Sequence, residues 1–298
     1  MIIDAHAHVY RNPLIRMSPE SEPMLSAAQQ IEMMDRLGIA KAIILPMNCI
    51  EVVADNQSIA EVLSICDQYE GRFIPYCNID PRLTSSLYES DTEFFKVILQ
   101  QYKDLGCRGL GELTAKIDWD DGRLWALLAA CESLGFPVTF HTSLRGTPDY
   151  GPVDEMGLPR FEKTLQRFPG LLFFGHSMSF WSEISGGVTP EDKTTYPEGP
   201  VAPDGTLPRL LRRYPNLYGD LSANSGINAL SRDESFAFEF IDEFQDRLVF
   251  ALDYCSIRDK RPHLQWFSSA LDKGKIRKTV YEKIMYKNIS NILGLKHE

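Results

Sequence analysis

Short apolar runs alternate with longer amphipathic stretches along the whole chain. The apolar runs Ile2–Ala5, Lys41–Pro46, Arg72–Ile79, Cys107–Leu113, Pro137–His141, Leu171–His176, Asn216–Leu221 and Leu248–Asp253 read as eight β-strands. Between them, Leu25–Leu37, Asn56–Tyr69, Leu87–Leu105, Gly122–Leu134, Pro159–Arg167, Thr206–Arg213 and Glu234–Gln245 carry helical spacing. Two further helices, Pro262–Leu271 and Lys275–Leu293, follow the last strand. Leu37-Gly38, Leu105-Gly106 and Leu134-Gly135 each place a glycine just past the last apolar residue, the usual left-handed helix stop.

Eight strand–helix units in a row predict an α/β fold, a single-domain (β/α)8 TIM barrel over residues 1–298. A doubly wound sheet is the competing architecture, but no G-x-G-x-x-G follows the first strand. No internal repeat and no Pro/Gly/Ser-rich linker divides the chain. The connection over residues 177–204 is unusually long and rich in Gly and Pro. It follows strand six on the side where barrel active sites form, so a lid and a contact between subunits are equal readings of it.

Composition narrows the function classes. The chain has 298 residues, 44% hydrophobic and 24% charged, which suits a soluble globular protein. Its net charge of −10 argues against a nucleic-acid partner, which needs a basic surface. No apolar run is long enough to span a bilayer, so no membrane association is expected. The six cysteines contain no C-x-x-C pair and read as reduced thiols. With no basic and apolar leader at its N-terminus, the chain is expected to be cytoplasmic.

The chemistry lies at the strand ends. Of six histidines, His6, His8, His141 and His176 fall at the C-terminal ends of proposed strands. His6 and His8 are two apart, so both imidazoles leave the strand on one face, an arrangement that suits zinc or a similar divalent ion. Asp253 ends strand eight and Glu112 ends strand four in the same manner. His6, His8, His141 and Asp253 together can hold one ion. An ion of this kind brings a bound water's pKa toward neutrality, and Asp253 can take that proton. His176 is placed to exchange a proton or polarise a carbonyl. Glu112 either bridges two ions, with His141 and His176 on the second, or orients a ligand from behind. One ion is preferred over two. His263 and His297 read as surface residues.

The segments Ile3-Asp4-Ala5-His6-Ala7-His8, Phe174-Gly175-His176 and Leu252-Asp253-Tyr254 resemble the amidohydrolase superfamily, and most of all its amidohydrolase-2 branch. The resemblance spans essentially the whole chain. It implies His6, His8, His141 and Asp253 as metal ligands and His176 as the catalytic histidine. The branch includes aminocarboxymuconate-semialdehyde decarboxylase, resorcylate-type decarboxylases, and lactone or amide hydrolases. Glu112 departs from the mononuclear pattern and is similar to the bridging glutamate of TatD-type deoxyribonucleases.

The expected activity is therefore hydrolysis of a small lactone, amide or ester through metal-bound hydroxide. The alternative is metal-dependent, non-oxidative decarboxylation of an aromatic or unsaturated acid. A nuclease or a non-catalytic metal-binding protein ranks lower. Arg145, Arg232 and Trp181 are the candidate substrate contacts, the two guanidiniums suiting a carboxylate, with Arg11 and Lys116 behind them. A homodimer is a further expectation.

Overall fold

A computed structural model of the chain describes residues 1–13, 16, 20, 22–51 and 56–296. Its main strands are β1 (Ile3–Ala7), β2 (Lys41–Ile44), β3 (Phe73–Pro75), β4 (Leu110–Leu113) and β5 (Val138–His141). After a small excursion formed by β6 (Ser143–Leu144) and β7 (Val153–Asp154) come β8 (Phe173–His176), β9 (Leu217–Asp220) and β10 (Leu248–Val249). The ladders β1-β2-β3 and β10-β9-β8-β5-β4 are parallel throughout.

Backbone hydrogen bonds cross both seams between these ladders. Cys77 N–H donates to Gly109 O (3.0 Å) and Gly111 N–H to Cys77 O (2.9 Å), joining β3 to β4. Ala5 N–H donates to Phe250 O and Asp253 N–H to His6 O, each at 3.0 Å, joining β10 to β1. The eight main strands form the (β/α)8 barrel expected from the alternation.

The helices that pack on or connect these strands begin with α1 (Ala27–Leu37), α2 (Ile59–Gln68), α3 (Asp91–Asp104), α4 (Gly122–Leu134), α5 (Pro159–Arg167), the short α6 (Met178–Trp181), α7 (Thr206–Arg213) and α8 (Ala223–Ser231). Next come α9 (Glu234–Phe244), before β10, then α10 (His263–Asp272) and α11 (Lys278–Glu282). A single π-helical turn, Lys283–Lys287, leads into α12 (Asn288–Leu293). Local chemistry sets the ends. Ser26 and Gln29 form a capping box on α1, and Gly38 closes it at φ 68°. A large apolar cluster lies between strands and helices. A smaller one joins Ile3, Ile43, Ile74, Phe174 and Val249 to Ile289 and Leu293 of α12.

Several expected elements are altered. β3 and β10 stop short of the C-terminal ends of their apolar runs, and β4 starts after the N-terminal end of its run. The segment after strand seven forms helix α8, and Arg232 follows its last residue. The expected Lys275–Leu293 helix starts at Lys278 and runs without a break to Leu293, with one π-helical turn at Lys283–Lys287. The connection after β8 opens with α6 and the 3-10 turn Ser182–Ile184. Its middle is anchored: Lys193 is buried, with Nζ 2.6 Å from Glu183 Oε1 and 2.7 Å from Ser179 O. Among the described residues, no helix is long and apolar enough to cross a membrane.

Candidate metal centre

β1 delivers the first two groups. His6 and His8 emerge on one face of its end, with their Nε2 atoms 3.2 Å apart. Each ring is fixed from behind. His6 Nδ1 lies 2.6 Å from Asp220 Oδ2, at the end of β9, and His8 Nδ1 lies 2.9 Å from Leu45 O, just past β2. With both Nδ1 atoms donating to oxygen, both Nε2 atoms present lone pairs to the same point. Two ring nitrogens bound to one tetrahedral ion at about 2.0–2.1 Å stand about 3.4 Å apart. The observed spacing fits that requirement.

Two carboxylates complete the group. His8 Nε2 is 3.4 Å from both Glu112 Oε2 and Asp253 Oδ1, and His6 Nε2 is 3.9 Å from each of the same oxygens. Asp253 follows β10 in a left-handed conformation, φ 53°. Arg261 Nη2 and Nε donate to Asp253 O at 2.7 and 3.2 Å and hold that turn. Asp253 is also the most exposed member of the four, its side chain 12% accessible, so it faces the mouth.

Glu112 reaches two ways. Its Oε2 belongs to the group just described, and its Oε1 lies 3.1 Å from His141 Nδ1. His141 thus meets the cluster through Glu112, while its Nε2 faces Asp149 Oδ1 at 3.2 Å. Ligand atoms of Glu112, His141 and His176 also lie within 4.8 Å of one another. His176 Nε2 is 3.7 Å from Asp253 Oδ2, and its Nδ1 is 2.8 Å from Ser222 Oγ. The four ligands expected around one ion are therefore split. His6, His8 and Asp253 gather with Glu112, and His141 stands on the far side of that carboxylate.

The electrostatics call for positive charge at this point. Burial works against a charged His6, yet Asp220, Asp253 and Glu112 hold it up to about 10. Burial likewise opposes charging of His141, but hydrogen bonds to Asp149 and Glu112 raise it to about 9. His176 goes the other way, to about 4, through burial and the neighbouring His6 charge. Glu112 is fully buried, which disfavours its anion, but hydrogen bonds from His141 and His8 keep it ionised well below the usual range. Buried carboxylates converging on imidazole lone pairs are the donor set of a divalent cation, and these residues fit one.

Several participants carried no assignment from sequence. Asp220 ends an apolar strand just as Asp253 does, so the same signal points to it. Ser222 follows two residues later. Tyr150 lies against His141 with ring centroids 4.0 Å apart and planes tilted by 35°, and nothing in the local pattern announces it. It belongs to the excursion between β6 and β7, where Gly151 has φ 89° and a side chain would collide with His141 O. Cys255 Sγ is 3.2 Å from Asp253 Oδ1.

The substrate candidates sit elsewhere. Arg145 is half-exposed and pairs with Asp118 at 2.6 Å and Glu155 at 3.2 Å. Trp181 is buried beneath the site, and its Nε1 donates to Asp220 O at 2.8 Å. Arg232 borders the long connection after β8, and its Nε is buried without a hydrogen-bond partner. Lys116 donates to Thr147 O, and the backbone N–H of Arg11 donates to Glu61. His263 corrects the sequence reading: it is fully buried, with Nε2 3.0 Å from Ala223 O, because α10 turns that face onto the end of α8. His297 lies outside the described residues.

The family model described as amidohydrolase, Amidohydro_2, matches residues 3–295. The chain belongs to the amidohydrolase-2 family. Members of this family are enzymes, hydrolases or decarboxylases, and they typically bind a metal. Solved structures agree on the fold. A zinc-bound amidohydrolase from Burkholderia multivorans aligns with a TM-score of 0.66 at 12% identity, covering 99% of this chain and 100% of that one. A protein assigned as a 2-pyrone-4,6-dicarboxylic acid hydrolase from Pseudomonas putida aligns at 0.63 and 12% identity, covering 100% and 98%. The 5-carboxyvanillate decarboxylase of Sphingomonas paucimobilis aligns at 0.57 and 13% identity, covering 99% of each chain. At these identities the likeness carries the fold alone. No curated protein matches the chain at a significant level.

Proposed function

We propose that this amidohydrolase-2 member is a metal-dependent hydrolase of a small lactone, amide or ester, with one divalent ion, zinc by preference, held by His6, His8, Glu112 and Asp253. The observation that carries this reading is the pair of Nε2 atoms 3.2 Å apart, each ring locked by an acceptor behind it and both facing two carboxylates. A divalent ion there would lower the pKa of a bound water and polarise a carbonyl.

The protein groups supply the rest. Asp253, at the open edge, takes a proton from the attacking water and returns it to the leaving group. His176 is neutral near pH 7, since burial holds it at about 4, and Ser222 fixes its ring. It is thus available as a neutral hydrogen-bond donor to the carbonyl oxygen as charge develops there. Asp220 and the Leu45 carbonyl hold the two ligating rings in register. Tyr150 lies against His141, the two ring centroids 4.0 Å apart and the planes tilted by 35°.

The test is a panel of lactones, esters, amides and aromatic carboxylates, followed by proton release and by CO2 release. Ring opening or acyl cleavage without CO2, falling about 10²- to 10⁴-fold in Asp253→Asn, supports hydrolysis. CO2 release from an aromatic acid with its ring intact would make the enzyme a decarboxylase instead.

A further inference from the structure

We infer that the cavity between the loops after β2 and β3, beside the candidate centre, receives an uncharged, largely apolar arm of the substrate. The inference rests on the hydrolase reading above for the reacting end of that substrate and names the chemistry of its other end. The cavity holds about 480 Å³, inside the range of roughly 300–1,000 Å³ usual for small-molecule pockets. Residues 48–50 follow β2 and residues 78–83 follow β3, so both walls are strand-to-helix loops on the ligand-bearing side of the barrel. The inner wall is shared with the centre. Asn78 is buried, and its amide donates to Glu112 O at 2.6 Å and to Pro46 O at 2.9 Å. Cys49 Sγ lies 2.9 Å from Thr114 Oγ1, two residues past Glu112.

The charges of the lining decide what can enter. Arg82 is its one basic residue among the described residues, and two carboxylates already hold it. Glu51 takes Nη1 (2.5 Å) and Nη2 (2.7 Å), and Asp80 takes Nε (2.8 Å) and Nη2 (2.6 Å). One cation against two anions leaves this wall net negative, which disfavours a carboxylate arm. Arg145, a carboxylate partner expected from sequence, is likewise engaged by Asp118 and Glu155. The remaining surface is apolar. Ile79 and Tyr102 line the cavity, and Ile50 and Leu83 stand 66% and 51% exposed beside it. The fold leaves those two side chains in water, so an arm that covers them gains by their burial.

Two measurements on the zinc-loaded chain test this, and the first needs no turnover. N-phenyl-1-naphthylamine, a neutral apolar fluorophore, should bind and be displaced by n-alkanols, each added methylene tightening the alkanol about fourfold until the cavity is full. Leu83→Asp, at an exposed position where the fold should hold, should weaken both by at least about tenfold; Ile50→Asp should act in the same direction. Probe binding undiminished in both variants overturns the assignment of the cavity. In turnover, kcat/KM for γ-lactones bearing an alkyl chain on the ring should rise with chain length through a falling KM. The ratio of γ-decalactone to γ-butyrolactone should fall toward one in Leu83→Asp. Ring opening with no dependence on chain length overturns the arm and leaves the hydrolase standing. A chain ending in a carboxylate that outperforms the alkyl chain of equal length overturns the uncharged class. Length-dependent alkanol binding, lost in Leu83→Asp, without opening of any lactone supports the cavity and counts against the hydrolase reading alone.

Discussion

Asp220 touches the proposed ion through nothing but His6, yet it decides which nitrogen of that ring is free. Its Oδ2 sits 2.6 Å from His6 Nδ1, fully buried. Asp220→Asn can satisfy the ring with either tautomer, so metal affinity is expected to fall about 10- to 100-fold, measured by competition with a chromophoric chelator. Unchanged affinity would mean that His6 is oriented by its own strand alone. His263 makes a second residue-scale prediction. Burial, with help from the Arg261 charge, lowers it from 6.5 to about 4. The unfolded chain therefore binds this proton more readily than the folded one between those values. The neutral ring's contribution is present above pH 6.5 and is lost as pH falls toward 4, about 3 kcal/mol in all. Urea unfolding of wild type and His263→Gln across that window should show a flatter pH dependence in the variant. Sequence singled out His6, His8, His141, His176, Glu112 and Asp253 because each lies at or just past the end of an apolar strand. It missed Tyr150 and Asp149 because they arrive on a loop, where polarity is ordinary.

Among the elements, the long connection after β8 shows how a segment without regular structure is held. Lys193 and Glu183 form an ion pair at 2.6 Å with side chains 1% and 3% exposed. Lys193 also reaches Ser179 O, while Ser179 Oγ donates back to Lys193 O at 3.0 Å. Glu183 in turn accepts from Gly157 N–H at 2.7 Å. Removing the ammonium alone leaves a buried carboxylate without its counter-charge. Lys193→Met should therefore cost about 3–5 kcal/mol in denaturant unfolding, and Lys193→Met with Glu183→Gln should recover most of it. Equal losses in the single and double variants would show that packing, not charge, holds the segment. Periodicity foresaw the barrel helices, since each buries one face. It did not foresee α8, whose sequence Ala-Asn-Ser-Gly-Ile-Asn-Ala-Leu-Ser mixes helix formers with loop residues. Nor did it foresee β6 and β7, two residues each and too short to carry a period.

Taken whole, the molecule links its ends through the site. Asp253 N–H donates to His6 O, and Asp4 Oδ1 accepts from His6 N–H (3.1 Å) and Leu252 N–H (2.9 Å) across the same seam. The first and last strands thus bring the candidate ligands His6, His8 and Asp253 together and close the barrel beside them. A cation bound there crosslinks β1, β4 and β10, so it should stabilise the fold as a ligand of the native state alone. Free zinc at about 1,000 times its dissociation constant should add roughly 4 kcal/mol, read as a higher melting temperature that a chelator reverses. This much of the architecture was legible, because eight alternating units leave few ways to bury their faces. The partition of ligands around Glu112 was not, because a strand-end residue's sequence position does not say which neighbour its side chain turns toward.

The most direct measurement is metal content after reconstitution with zinc and exhaustive dialysis, in wild type and in His6→Ala/His8→Ala. The wild-type chain should retain a tightly held ion, and the double variant, still folded by circular dichroism, should lose it. A wild-type chain that dialyses free of metal, or a double variant that retains it in full, would contradict the assignment of His6, His8, Glu112 and Asp253 to a cation.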